Sequence, residues 1–369
     1  MRFAGVLMEQ IPGLAIAVGG MSSRGLVRGQ GAGAHGMAAW HGMAAWLGSP
    51  TSIFSPAATP AQSIFGLSMF VLAITGGIFL VVTGLLIYVV AKFRHKAGDR
   101  SGDPAQIYGS SQIETSWTVI PLLLVVVLFL TAARVILATE RVAKPKAALD
   151  VQVVGHQFWW EYRYPKLGVV TANELHVPVS DPKTPLPTYL TMSSADVIHS
   201  FWVPRLAGKM DLVPNKANTM WMDPSTAGLY LGQCAQYCGT QHAKMLLRVY
   251  VDSPEEFAAW VKRQQAGAME PADAAVAEGK AVFERNACVN CHAIRTGAEA
   301  PGAKAKFGPD LTHVGSRETL ASGAIPNTPE NLRAWIADPN TLKPGALMPA
   351  MRLNDQDLDA VTKYLTALK

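Results

Sequence analysis

Two long apolar runs dominate the first half of the chain, and the pattern then shortens abruptly. Residues 64–90 carry no charge, and residues 117–137 form a second apolar run with Arg134 near its far end. A bilayer crossing needs about 20 consecutive apolar residues, so both runs predict membrane-spanning helices. Gly76, Gly77 and Gly84 are compatible with such helices and allow close packing on a neighbour. Between the runs lie Lys92, Arg94, Lys96 and Arg100, a basic cluster of the kind retained on the cytoplasmic side. The predicted anchor is therefore a hairpin over residues 61–147 with both ends facing outward.

From residue 149 the period drops to two. Residues 151–154, 158–164, 174–179, 188–192, 219–222 and 246–251 read as strands broken by Pro and Gly. Several short strands over residues 148–252 predict a β sandwich or barrel. The helical period returns near the end. Residues 253–265 form a helix opened by Ser253 and Pro254, and the stretch to residue 272 reads as a linker. Residues 275–285 and 358–368 then predict helices of an all-α domain over residues 273–369. Residues 1–60 carry little pattern and read as a leader. They hold a short apolar run at 11–21 and a tandem hexapeptide, His-Gly-Met-Ala-Ala-Trp, at 35–40 and 41–46. A metal-binding tract and a duplication without function both remain open for the repeat.

The net charge is +5 with mean hydropathy +0.17. Residues 1–147 carry 11 Lys and Arg against 5 Asp and Glu, while residues 148–252 carry 8 of each and residues 273–369 carry 11 of each. The basic excess thus belongs to the membrane-associated part, which argues against a nucleic-acid partner, for which a clustered basic face is needed.

All four cysteines lie in two motifs. Cys234-Ala-Gln-Tyr-Cys238-Gly-Thr-Gln-His242-Ala-Lys-Met245 places two thiols, an imidazole and a thioether in one short segment. Thiolate, imidazole and a weak thioether are the ligands of copper electron-transfer sites; a disulfide is the competing reading. A further histidine is required from elsewhere, and His199, His156 and His176 compete. His199 is preferred because it precedes a Pro-ended loop. Cys288-Val-Asn-Cys291-His292 is the c-type haem attachment sequence, with Met348 preferred over Met351 on the far side of the iron. His/Met ligation raises the potential and suits electron transfer. The aromatic run Phe158-Trp159-Trp160 fits either a strand core or a surface for electron entry. Glu114, expected just before the second span, fits an interfacial carboxylate favoured by the helix dipole.

The order of anchor, β domain and haem motif resembles cytochrome c oxidase subunit II in the form with a fused cytochrome c. The resemblance covers about residues 50–369. It rests on Glu114-x-x-Trp117-Thr-x-x-Pro121, Gly155-His-Gln, Asp196-x-x-His199-Ser, the cysteine loop and Cys288-x-x-Cys291-His292. It implies a multidomain membrane protein: a two-helix hairpin, an all-β Greek-key cupredoxin domain and an all-α c-type cytochrome domain. It further implies a binuclear CuA centre bridged by Cys234 and Cys238, with His199 and His242 on one copper each. Met245 and the carbonyl of Gln236 would be weak ligands. Glu114 would stand at the mouth of a proton pathway. Electrons would pass from a cytochrome c or similar donor through haem c to CuA, and on to an oxygen-reducing, proton-pumping large subunit, with subunit III alongside. The setting would be a bacterial inner membrane, with the metal domains on the periplasmic side.

Two departures stand out. Gln236 replaces the family's usual Glu, whose side chain helps bind magnesium, so magnesium does not carry over with the resemblance. Phe158 occupies the position of the family's electron-entry Trp. Rival readings are a CuA-bearing subunit of a nitric oxide reductase, separable by the large subunit that co-purifies, and a tethered copper carrier, which predicts one labile copper and no strong near-infrared band.

Overall fold

A computed structural model describes residues 49–94, 98, 106–140, 144–271, 273–296 and 307–369. The apolar run at 11–21 and the tandem hexapeptide lie outside the described residues. Helices α1 (Thr59–Lys92) and α2 (Ser111–Glu140) follow the two apolar runs and extend beyond both ends of each. At 1.5 Å per residue they measure about 50 and 45 Å, more than the ~30 Å hydrocarbon core. Their large side chains, Leu80, Val81, Leu86, Phe129 and Leu130 among them, point away from protein, as a lipid-facing surface requires. Glu114 lies ahead of the apolar run and in the first turn of α2, near the helix N-terminus as expected, where its carboxylate accepts from the Ser110 amide at 3.3 Å.

The β domain comprises β1 (Leu149–His156), β2 (Trp159–Tyr164), β3 (Val169–Ala172), β4 (Glu174–Pro178), β5 (Thr188–Ser194), β6 (His199–Trp202), β7 (Met210–Leu212), β8 (Asn218–Met222), β9 (Gly228–Cys234) and β10 (Leu246–Asp252). They form two five-stranded sheets, in the orders β3-β2-β1-β5-β8 and β4-β10-β9-β6-β7. The β1–β5 and β4–β10 pairs are parallel and the other neighbours antiparallel. Period-2 alternation turns Val151, Val153, Trp160, Tyr162, Tyr164, Leu190, Met192, Leu247 and Val249 inward, and their burial supplies the main driving force for the sandwich. Strands β3, β6, β7 and β9 are absent from the sequence-based expectation. The first three span four residues or fewer, and β9 uses Gly232 and Cys234 at inward positions where a strand pattern shows larger apolar side chains.

The hairpin is bolted to this sandwich at both outer ends. The backbone amide and hydroxyl of Thr59 both donate to Asp223, at 2.7 and 2.5 Å, and the Trp221 indole donates to the Thr139 carbonyl at 2.7 Å. Residues 52–58, expected to belong to a leader, form a strap on the β domain. The Ala57 amide donates to the Arg205 carbonyl, the Arg205 guanidinium donates to the Ser55 carbonyl, and Ala57 and Ala58 are buried in the sandwich core.

Helix α3 (Pro254–Gln265) follows, opened by a capping box in which the Ser253 and Glu256 side chains each accept from the other's amide; its Trp260 stacks on His176. The last domain packs α4 (Ala274–Arg285), a small β11–β12 ribbon (Thr319–Leu320 with Ile325–Pro326), α5 (Pro329–Ala337), α6 (Pro339–Leu342) and α7 (Asp355–Ala367) around Val282, Phe283, Leu332, Ile336, Val361 and Leu365. Helices α4 and α7 cross closely at Gly279, where a Cβ would lie 2.1 Å from the Ala360 carbonyl oxygen.

Candidate metal centres

The sandwich brings its chemistry to one end. Strand β9 ends on Cys234, a loop carries Cys238, a short turn spans His242–Lys244, and Met245 leads into β10. His199 arrives from the neighbouring strand. It is the first residue of β6, a four-residue strand that runs into the Pro-ended loop, and it is paired with Leu212 of β7. The Cys234 and Cys238 sulfurs are 3.8 Å apart and not bonded to one another. The donor atoms of His199, Cys234 and Cys238 all lie within 4.8 Å of one another. His242 Nδ1 is 3.7 Å and Met245 Sδ 3.9 Å from the Cys238 sulfur, and the Gln236 carbonyl is 3.2 Å from that of Cys234.

One atom in this cluster is out of place in a metal-free protein. His199 is fully buried, and its Nδ1 has no hydrogen-bond partner, whereas its Nε2 lies 2.8 Å from the Asp196 carboxylate. A buried polar atom left unpaired costs on the order of 1–3 kcal/mol, which a metal at Nδ1 would offset. Burial opposes protonation of the ring, but the Asp196 carboxylate on Nε2 and the charge of the nearby Cys234 sulfur outweigh it and push its pKa upward. The two thiols split. Their mutual contact pulls Cys234 down and, together with burial, pushes Cys238 up. A bound cation would favour the thiolate of both. The donor set therefore fits copper, and the same geometry counts against the disulfide.

Residues around the cluster hold it in shape. At Gly155 an added Cβ would meet the His199 ring at 2.7 Å, so a larger residue would displace the imidazole. The Gln157 side-chain amide donates to the Cys238 carbonyl at 2.6 Å, and its backbone amide to Asp196 at 2.7 Å. The Gly155-His-Gln segment is thus the floor of the site. Asp196 also accepts from the Val197 amide. Burial works against its charge, but these bonds bring its pKa below the ordinary range. Neither Gln157 nor Asp196 was assigned a role from sequence, although the three-residue spacing of Asp196 and His199 was a usable signal.

The rival histidines are engaged elsewhere. His156 pairs with Glu161 at 3.1 Å and stacks on Trp159; His176 pairs with Asp252 at 2.8 Å and stacks between Tyr250 and Trp260. The aromatic run divides: Trp160 belongs to the core, Phe158 is 8% exposed, and Trp159 is half-buried on His156.

The second motif forms a short turn, Cys288–Asn290, with Cys291 after it. His292 Nδ1 lies 2.8 Å from the Pro309 carbonyl. A carbonyl can only accept, so the proton sits on Nδ1 and Nε2 is left with a free lone pair. Burial lowers the pKa of this ring, which keeps it neutral and able to bind a metal. Val289 and Phe307 expose apolar surface beside the motif, as the wall of a site for a large apolar group would. These features fit a haem. Met348 and Met351 are both half-buried in the segment between α6 and α7, so burial does not separate them. Pro309 carried no signal in the sequence.

Three family models match in chain order: cytochrome c oxidase subunit II, transmembrane domain, over residues 46–135; its periplasmic domain over residues 149–251; and cytochrome c over residues 276–369. Cytochrome c oxidase subunit 2 of Alkalihalophilus pseudofirmus is 35% identical over 319 residues, covering 85% of this chain and 90% of that relative. The chain belongs to the cytochrome c oxidase subunit II family. The subunit 2 proteins of Bacillus sp. strain PS3 (36% identical over 296 residues, 75% of this chain and 80% of that one) and Bacillus subtilis (31% over 303 residues, 77% and 82%) are also similar. As a subunit II protein it is part of an oxidoreductase of the haem-copper class, with two apolar helices, a cupredoxin-like domain and a fused C-terminal cytochrome c domain. Membership implies association with the oxidase large subunit, copper CuA and haem c as cofactors, and a membrane protein whose β domain is periplasmic.

Proposed function

We propose that this subunit II relays electrons from a cytochrome donor, through haem c, to a binuclear copper centre and on to the oxygen-reducing, proton-pumping large subunit. The observation that carries this reading is the buried, unpaired Nδ1 of His199 among two thiols. Cys234 and Cys238 would bridge the metals, His199 and His242 would each hold one, and Met245 and the Gln236 carbonyl would be weak ligands. Bound there, copper and haem supply one-electron redox chemistry; the chain supplies fixed donor atoms and exclusion of water. Asp196 and Gln157 hold the ligands still, so that little has to rearrange when charge arrives. On the haem side, Cys288 and Cys291 would anchor the ring covalently, His292 would present Nε2 to the iron, and Met348 would take the opposite face.

Glu114, at the first turn of α2, is assigned to the entrance of a proton path. The exposed Gln236 amide gives a magnesium ion less than a carboxylate would, and no magnesium is assigned. Of the aromatic run, Trp159, half-buried on His156, keeps surface for electron entry, whereas Phe158 and Trp160 are buried. Subunit III and a soluble cytochrome complete the expected partners, in a bacterial inner membrane with residues 148–369 on its outer side.

The test is to purify the complex and measure copper per covalent haem together with oxygen uptake. Two coppers per haem c, with oxygen consumption, are expected. Cys238→Ser should abolish the purple mixed-valence signal and leave the haem c spectrum unchanged; a retained signal would remove Cys238 from the centre.

A further inference from the structure

Lys343 is an unusual residue to find buried. Lysine is almost never fully buried unless its ammonium is paired, yet Lys343 is 3% exposed. Its ammonium donates three bonds of 2.9 Å, to the carbonyls of Phe158 and Lys244 in the copper domain and of Ala321 in the haem domain. Three acceptors match the three N–H donors of an ammonium. Burial draws its pKa down to about 7, with the Cys238 sulfur working the other way, and the three carbonyls are the acceptors its N–H groups reach. No carboxylate takes part, and the cage exists only while the two domains are in contact.

Neighbouring bonds reinforce the contact at the same place. The Gln241 amide donates to the Pro344 carbonyl at 2.6 Å, and the Lys244 ammonium to the Leu342 carbonyl at 3.0 Å. The segment after Lys343 runs to Met348, and the segment it touches holds Cys238, His242 and Met245. A second fastening lies further along the seam. Glu174 of β4, buried, accepts from the Glu318 and Thr319 amides and the Thr319 hydroxyl at 3.2, 2.9 and 2.9 Å. Leu246 and Ser322 are joined by the Leu246 amide donating to the Ser322 carbonyl and the Ser322 hydroxyl donating to the Leu246 carbonyl.

We propose that Lys343 is a positioning residue that latches the haem domain onto the copper domain, with Glu174 as the second fastening, so that the two metal sites work at a fixed separation instead of meeting by diffusion on the linker. The inference rests on the relay described above. It also gives Phe158 a different task from electron entry by an outside cytochrome. Its carbonyl is a docking point for the chain's own haem domain, and an external donor has to address the haem.

The experiment uses the whole oxidase complex carrying Lys343→Met, which keeps the length and apolar stem but removes the ammonium, and separately Glu174→Ala, whose side chain is no part of either metal site. Hydrogen exchange is followed at the Leu246 amide. In parallel, the rate of electron movement from haem c to copper is followed after rapid photoreduction of the haem. Exchange should rise tenfold or more and the internal rate fall tenfold or more, with the copper and haem spectra and the rate of haem reduction by an external cytochrome unchanged. A purely structural defect would disturb the spectra or the external rate as well, and that result overturns the positioning role. Exchange within twofold of the parent in both variants, or raised exchange with an internal rate within twofold, also overturns it. If Lys343→Met does not assemble with haem, Glu174→Ala carries the measurement. The exchange arm needs no copper, so a parent complex lacking the mixed-valence signal would sink the relay and still leave the latch tested.

Discussion

At the residue scale, the proposed copper site depends on side chains outside its ligand set. Asp196 fixes which nitrogen of His199 faces the thiols, because a carboxylate on Nε2 leaves Nδ1 for the site. Partners of metal-ligating histidines typically change metal affinity by about 10–100-fold when lost. Asp196→Asn should therefore weaken copper retention by about that factor at unchanged haem c content, measured by copper analysis after dialysis against a chelator. Unchanged retention would mean that the packing of His199 against Gly155 suffices to orient the ring. The two sulfur motifs were legible in the sequence because soft ligands in a fixed order are rare by chance. Asp196, Gln157 and Pro309 were not assigned because a side chain or carbonyl that holds a ligand is chemically ordinary. Only its distance from that ligand gives it a role.

The strand pair β1–β2 shows what an element contributes. Its register sets Val154 opposite Glu161 and His156 opposite Trp159, which lets Glu161 receive both His156 and the Arg163 guanidinium. Burial raises the Glu161 pKa, but these partners outweigh it and hold it below the ordinary value of 4.5. For a depressed carboxylate the stabilisation is present above the unfolded value and fades as pH falls through the folded one. The parent chain should thus resist denaturant better than Glu161→Gln at neutral pH, and the gap should close only below about pH 4.5. A gap that stayed constant down to pH 3 would show that the pair contributes nothing through charge. At this scale the sequence was readable wherever alternation ran through five or more residues, as in β1, β2 and β5. It failed for β6, whose four residues are nearly all buried and so show no alternation, and the short strand that His199 opens was therefore not foreseen.

At the scale of the whole molecule, composition and the two apolar runs disclosed the anchor, and the motifs disclosed the two metal domains. The seam between those domains left no trace in the pattern, since its bonds run mostly to backbone carbonyls, which every residue has. A docked haem domain makes a specific demand on the linker. Lengthening a flexible connection costs little, about 0.6 kcal/mol per doubling. A short Gly-Ser insertion after the exposed Met269 should therefore leave the internal haem-to-copper rate within about twofold, by the same photoreduction measurement. A domain that swings on its tether would slow as the tether lengthens.

The strap of residues 52–58, with the bonds from Thr59 to Asp223 and from Trp221 to Thr139, ties both transmembrane helices to the neighbourhood of a single strand, β8. Anchor and sandwich must then turn as one rigid piece, like a mast stepped into a deck. The height of the cysteine loop above the lipid is consequently set by helix length and tilt and not by a floppy stem. A thinner or thicker bilayer would be felt at the far end of the sandwich as a change in elevation.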